Sequence, residues 1–284
     1  MARTGVDKYY DANTGRFLAV GGSGAALAIH RQLWADGITT PSAAAAHIND
    51  IIRDRAEHHL GTIPQQVCDL GCGVGGSVFH LAQLWPDTGF TGITISGAQK
   101  DRAMAEAAAR SLHARCRFIQ ADFTAPPDPA QPAADLAIAI ESHVHAESAA
   151  EFLTAAARFL RKGGILIVVD DMLAQPEPNL PPAQRHWLDA FRKGWRLGHV
   201  PDKVSILRHA TQAGFTTLET QDLTPLLRLN RRRDRLLHVI APAVDWLGLN
   251  RWPIFGNMIG GDGLTRLYRM GAMRYACVIL QLNA

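Results

Sequence analysis

From residue 65 to residue 170, short apolar runs alternate with segments whose apolar positions recur at helical spacing. QQVCDL is followed by SVFHLAQLW, FTGITI by AQKDRAMAEAAARSLH, then come RCRFIQAD, ADLAIAIES with AESAAEFLTAAARFLR, and GGILIVVDD. Near-continuous apolar strands separated by amphipathic helices predict a parallel sheet covered on both faces. Upstream, SAAAAHINDIIRDRAEHHL reads as a helix, behind a leader that carries YYDANTGRFL and GGSGAA. Downstream, a proline-rich entry leads to a helix with Trp187, Phe191 and Trp195 at i, i+4 and i+8 on one face. Residues 201–214 predict a further helix, FTTLETQDL a strand, and RYACVILQL the strand that closes the sheet. Residues 224–273 are too many for a hairpin turn between those last two strands and should contain helices.

The composition adjusts this picture little. Hydrophobic residues make up 47% and charged residues 19% of 284 positions, enough for one α/β domain with additions. No stretch approaches the roughly 20 apolar residues that span a bilayer, and MARTGVDKYYDANTGRF lacks the apolar run of a secretory signal, so a cytoplasmic protein is expected. The four cysteines, Cys68, Cys72, Cys116 and Cys277, form no CxxC pair and no disulfide framework and read as reduced, partly buried thiols, with metal ligation by Cys68 and Cys72 the formal alternative. A net charge of +3 comes largely from Arg228, Arg231, Arg232, Arg233 and Arg235. One basic segment without interleaved aromatics argues against a nucleic-acid partner.

Chemistry concentrates at VCDLGCGVGG, Val67 to Gly76. A strand ending in Asp69, a turn with Gly71, Gly73 and Gly75, and a following helix describe a nucleotide-binding loop. Gly71, Gly73 and Gly76 also satisfy dinucleotide spacing, so the glycines alone leave the cofactor open. The next strand discriminates: a nicotinamide or flavin site places an acid about twenty residues on, whereas this strand ends in Thr94 and Ser96, with Gln99 opening the next helix. Asp122 and Phe123 follow the third strand.

Asp69, the glycine turn, the uncharged GITISGAQ segment and Asp122 resemble the S-adenosylmethionine-dependent methyltransferases. More narrowly, they resemble the branch of cyclopropane fatty acid synthases, sterol and tocopherol C-methyltransferases, and geranyl diphosphate C-methyltransferase, over roughly residues 64–170. The resemblance implies an α/β, Rossmann-like class I methyltransferase with a mostly parallel seven-stranded sheet, helices on both faces and a helical lid. One domain is expected, with a lid segment at 1–62, a cofactor-binding core at 63–171 and lid insertions at 172–200 and 224–273. S-adenosyl-L-methionine would be held by Asp69, Gly71, Gly73, Gly75, Thr94, Ser96, Gln99, Asp122 and Phe123.

Glu141 ends an otherwise apolar strand at the carboxyl edge, where open α/β sheets bind their ligands. ESHVHA resembles the segment in which sterol and geranyl diphosphate C-methyltransferases set a Glu against the acceptor. Methyl transfer to a double bond leaves a carbocation, which needs a base and a carboxylate or aromatic faces beside it. Glu141 is the expected base; a solvated strand-end acid is the alternative. His145 falls where the sterol enzymes carry a His. Tyr10 and Asn13 resemble the leader of the geranyl diphosphate enzyme, and His30, followed by Arg31, stands where that enzyme has a histidine run and an aromatic. Trp187, Phe191 and Trp195 would wall the substrate or pack a lid. Arg231, Arg232 and Arg233 would clamp a diphosphate through bidentate contacts or form a solvated face.

The expected activity is C-methylation of an isoprenoid double bond, with a prenyl diphosphate as acceptor and Mg2+ bridging its phosphates. Alternatives are an O- or N-methyltransferase, or a C-methyltransferase of a terpenoid lacking diphosphate. A non-catalytic cofactor-binding subunit and a nicotinamide oxidoreductase fit the residues less well. No protein metal site is expected, and the sequence leaves a homo-oligomer open.

Overall fold

A computed structural model of the chain describes residue 27 and residues 30–125, 133–229 and 253–283. Tyr10 and Asn13, Arg231, Arg232 and Arg233 lie outside the described residues. The elements run α1 (Pro41–Leu60), β1 (Gln66–Leu70), α2 (Gly76–Leu84), β2 (Gly89–Thr94), α3 (Gly97–Ala109), β3 (Cys116–Gln120), β4 (Ala134–Ile140), α4 (Ala149–Ala157), β5 (Leu160–Leu173), α5 (Pro182–Trp195), α6 (Lys203–Gln212), β6 (Phe215–Asp222), α7 (Pro253–Arg269) and β7 (Met273–Leu282).

The seven strands form one sheet in the order β3-β2-β1-β4-β5-β7-β6. β1 to β5 pair in parallel, and β7 inserts antiparallel between β5 and β6. This is the Rossmann-like architecture of class I methyltransferases, in agreement with the alternating sequence pattern. Ile165 to Leu173 of β5 are buried without a break, as expected for a strand covered on both faces. Strand order reverses between β1 and β4, and the crevice at their carboxyl ends is where ligands of open α/β sheets bind.

Local chemistry fixes the element ends. The Thr40 side chain accepts from Ala43 N, Pro41 sits where a missing N–H costs nothing, and Gly61 closes α1 at φ 70°. The helix expected through Arg161 stops at Ala157, because Ala134 N donates to Phe159 O and Leu160 pairs with Ala134, drawing the chain into β5 three residues earlier than its apolar run suggests. No helix among the described residues is long and apolar enough to cross a membrane.

Candidate active site

Gly71, Gly73 and Gly75 all have positive φ, at 100°, 55° and 86°. Such a run is strained for L side chains. Gly71 is constrained twice, since a Cβ there would lie 2.5 Å from Ser142 Cβ. Ser142 in turn donates to Leu70 O at 2.5 Å, tying the end of β4 to the end of β1. The N–H groups of Gly71 and Cys72 both donate to Ile93 O, so the turn is pinned to β2 as well. Asp69 is 3% exposed, and burial pushes its carboxyl up to about 7.

At the end of β2 the missing acid is replaced by a neutral cluster. The Thr94 hydroxyl donates to Gln99 Oε1 at 2.7 Å, and Ser96 caps α3 by accepting from Gln99 N at 3.1 Å. All three residues are buried. Asp122 accepts from both the backbone N–H and the hydroxyl of Thr124, while the Phe123 ring stands edge-on to Phe152. These residues fit an adenosyl cofactor: the backbone is open where a Cβ would block it, and β2 ends without the acid of a nicotinamide site.

Across the crevice lies Glu141, whose backbone adopts φ 50°, the left-handed region. A non-glycine residue held there costs roughly 1–2 kcal/mol, and such outliers collect at functional positions. Its carboxylate is engaged through one oxygen. Arg31 N donates to Oε1 at 2.7 Å, Tyr275 OH donates to Oε1 at 2.9 Å, and an Arg31 guanidinium nitrogen lies 3.2 Å from the same atom. None of these contacts uses Oε2. The side chain keeps 17% of its surface exposed.

Arg31 also donates to Asp171 Oδ2 at 2.6 Å, and Tyr268 OH donates to Asp171 Oδ1. Its guanidinium carbon lies 5.1 Å from the ring centre of Tyr275, 5.7 Å from Trp195 and 6.0 Å from Tyr268. Burial pulls the Arg31 guanidinium down, but Asp171 and Glu141 outweigh it and hold the group protonated. Burial pushes Asp171 up to about 6, with Arg31 pulling the other way. Burial also holds the phenols of Tyr268 and Tyr275 well above their ordinary range.

The three aromatics of α5 separate. Trp195 faces Arg31 and donates to Asn257 O at 3.3 Å; Phe191 is fully buried core; Trp187 carries the Arg266 guanidinium 4.1 Å from its ring centre. His30 donates from its ring to its neighbour's carbonyl. His145 lies in a short turn, His143–His145, and it is His143 that is fully buried, with Nδ1 2.7 Å from Asp170 Oδ2. Arg228, at the head of the basic segment, stacks on Trp34 with its guanidinium carbon 3.5 Å from the ring centre.

Asp171, Tyr268 and Tyr275 join the site without having been singled out in the sequence. Two adjacent acids ending the apolar run GGILIVVDD were a signal; the tyrosines, at buried positions of α7 and β7, gave none. Among the described residues no group of three or more His, Cys, Asp or Glu is placed to hold a metal ion.

A glycine turn of this shape, on this sheet and beside a strand end without the acid of a nicotinamide site, agrees with the relatives this chain has. The chain belongs to the class I S-adenosylmethionine-dependent methyltransferases. Residues 67–164 match the methyltransferase domain family. An O-methyltransferase of Aspergillus nomiae is 30% identical over 175 residues, 61% of this chain and 74% of its own length. A sterol 24-C-methyltransferase of Gibberella zeae is 30% identical over 171 residues, 58% of this chain but 43% of its own. Among solved structures, a mycolic acid cyclopropane synthase complexed with SAH and CTAB superposes with a TM-score of 0.75 at 18% identity, covering 97% of this chain and 96% of the other. The geranyl diphosphate C-methyltransferase of Streptomyces coelicolor, in complex with Mg2+, geranyl-S-thiolodiphosphate and S-adenosyl-L-homocysteine, does so with 0.69 at 16% identity, covering 99% of each chain. Both likenesses establish a shared fold.

Proposed function

We propose that this methyltransferase methylates a carbon–carbon double bond of an isoprenoid acceptor through a carbocation. The observation that carries the reading is Glu141 Oε2: a strand-end carboxylate oxygen outside every bond that fixes its partner oxygen, on a residue bonded to Tyr275 and to Arg31, whose guanidinium is ringed by Trp195, Tyr268 and Tyr275. Asp69, Gly71, Gly73, Gly75, Thr94, Ser96, Gln99, Asp122 and Phe123 would hold the cofactor. S-adenosylmethionine bound there supplies an electrophilic methyl group. The chain's own part is to bind and orient the double bond, exclude water, face the positive charge with aromatic rings and carboxylate, and accept a proton at Glu141 Oε2. The Arg31 backbone N–H and the Tyr275 hydroxyl on Oε1 fix the carboxylate's orientation, so that charge stabilisation is preorganised.

The finer reading is a prenyl diphosphate acceptor, which Arg231, Arg232 and Arg233 would hold and whose charge Mg2+ would help to neutralise; the name of the Streptomyces enzyme supports it by analogy. Residues 1–62, 172–200 and 224–273 would close over the crevice, with Tyr10, Asn13, His30, Arg31 and Trp187 belonging to that cover and His145 either supporting Glu141 or meeting the acceptor. The test is turnover of labelled S-adenosylmethionine with isopentenyl, geranyl and farnesyl diphosphates and their alcohols, reading which atom carries the methyl.

Oxygen methylation is the second reading. The Aspergillus relative is named for it.

A further inference from the structure

Arg31 is surrounded as a bound ligand would be. Two carboxylates lie within 3.2 Å of its guanidinium nitrogens, and three aromatic ring centres lie within 6.0 Å of its central carbon. Rings and carboxylates together make an aromatic cage, the surroundings that recognise organic cations. The groups come from five elements of the fold: Glu141 follows β4, Asp171 is in β5, Trp195 ends α5, Tyr268 is in α7 and Tyr275 in β7. One guanidinium nitrogen, NH1, is buried without an aligned hydrogen bond, so the fit to the cage is close but incomplete.

We propose that the pocket bounded by Glu141, Asp171, Trp195, Tyr268 and Tyr275 is an organic-cation site that Arg31 fills from within the chain, and that a ligand's positive centre competes with Arg31 for it. This rests on the reading of the crevice as the acceptor site, and it assigns that site a ligand class: small guanidinium and quaternary ammonium compounds, and acceptors that become cationic on reaction. Two consequences follow from charge. Without a cation the two carboxylates face each other unneutralised in a partly dry pocket, which is costly. With Arg31 present, a neutral acceptor must displace the guanidinium before its own positive charge develops there, so Arg31 holds the cage shaped between turnovers.

The experiment is chemical rescue of Arg31→Ala, with Arg31→Met as a second variant that retains an apolar stem. Methylguanidinium and tetramethylammonium are titrated at matched ionic strength, with methylurea as the neutral control, reading Trp fluorescence and melting temperature. Both variants should melt below the wild type, and both cations should restore melting temperature saturably, binding at least about tenfold tighter than to the wild type, as vacating a desolvated cation–π and ion-pair site predicts. Adding Glu141→Gln and Asp171→Asn should abolish the rescue. Folding of either variant only in methylguanidinium would also support the site. Equal weak binding to variant and wild type, rescue by methylurea as well, or no uptake by either variant would overturn it. No methyl transfer is measured, so failure here is separable from failure of the alkene reading.

Discussion

The Tyr275 hydroxyl donates to Glu141 Oε1 at 2.9 Å across 134 residues of sequence, joining the antiparallel last strand to the end of a parallel one. β7 inserts between β5 and β6, and this places a phenol against the carboxylate at the switch point. A hydrogen bond to a charged group contributes roughly 1.5–3 kcal/mol. Tyr275→Phe should therefore lower stability by about that much in urea unfolding and reduce kcat while leaving S-adenosylhomocysteine affinity unchanged. Wild-type turnover in the variant would mean that the bond plays no part in catalysis.

Gly71→Ala should fold poorly and lose the cofactor. The φ of 100° and a Cβ 2.5 Å from Ser142 Cβ oppose any side chain. The conformational part alone is on the order of 1–2 kcal/mol. S-adenosylhomocysteine should raise the wild-type melting temperature, by about 2.7 kcal/mol of stabilisation at a hundred times its dissociation constant, and should not shift the variant. NAD should shift neither.

Acid and base act on opposite groups. Burial pulls His199 from 6.5 down to about 4, so the folded state binds fewer protons than the unfolded one between those values and stability falls as pH drops through them. Burial pushes Asp69 from 3.8 up to about 7, so its contribution falls as pH rises through that window. At 1.36 kcal/mol per unit the upper sizes are about 3 and about 4 kcal/mol. Relative to wild type, His199→Gln should gain stability on acidification from pH 6.5 to 4, and Asp69→Asn should gain it as pH rises from 4 to 7. Parallel profiles for wild type and variants, followed by denaturant unfolding across pH, would contradict these assignments.

Much of the fold was legible because its signals are local. The strand–glycine turn–helix at Val67–Leu84, the acid-free end of β2 and the strand-end Glu141 are each contained in a few consecutive residues. The cage was not legible, because its bonds span 140 residues from Arg31 to Asp171 and 97 from Asp171 to Tyr268. Periodicity marked Trp187, Phe191 and Trp195 as one face but could not sort them; packing against α7 leaves only Trp195 beside Arg31. The sequence singled out His145 in ESHVHA, whereas it is His143 that the fold buries fully against Asp170.

Glu141→Gln keeps the shape of the side chain and removes its charge and basicity. Binding of S-adenosylhomocysteine should persist, with turnover down by at least about a hundredfold, the lower range for loss of a general base. Near-normal turnover with an unchanged product would make Glu141 a structural acid paired to Arg31.

The most direct measurement is the position of the transferred methyl group. With methyl-labelled S-adenosylmethionine and the panel of isopentenyl, geranyl and farnesyl diphosphates and their alcohols, the account predicts that the acceptor that turns over gives a product whose label is bonded to carbon and whose double bond has re-formed by loss of a neighbouring proton, read by NMR and mass spectrometry. A label found on oxygen or nitrogen across the panel of diphosphates and alcohols would contradict it.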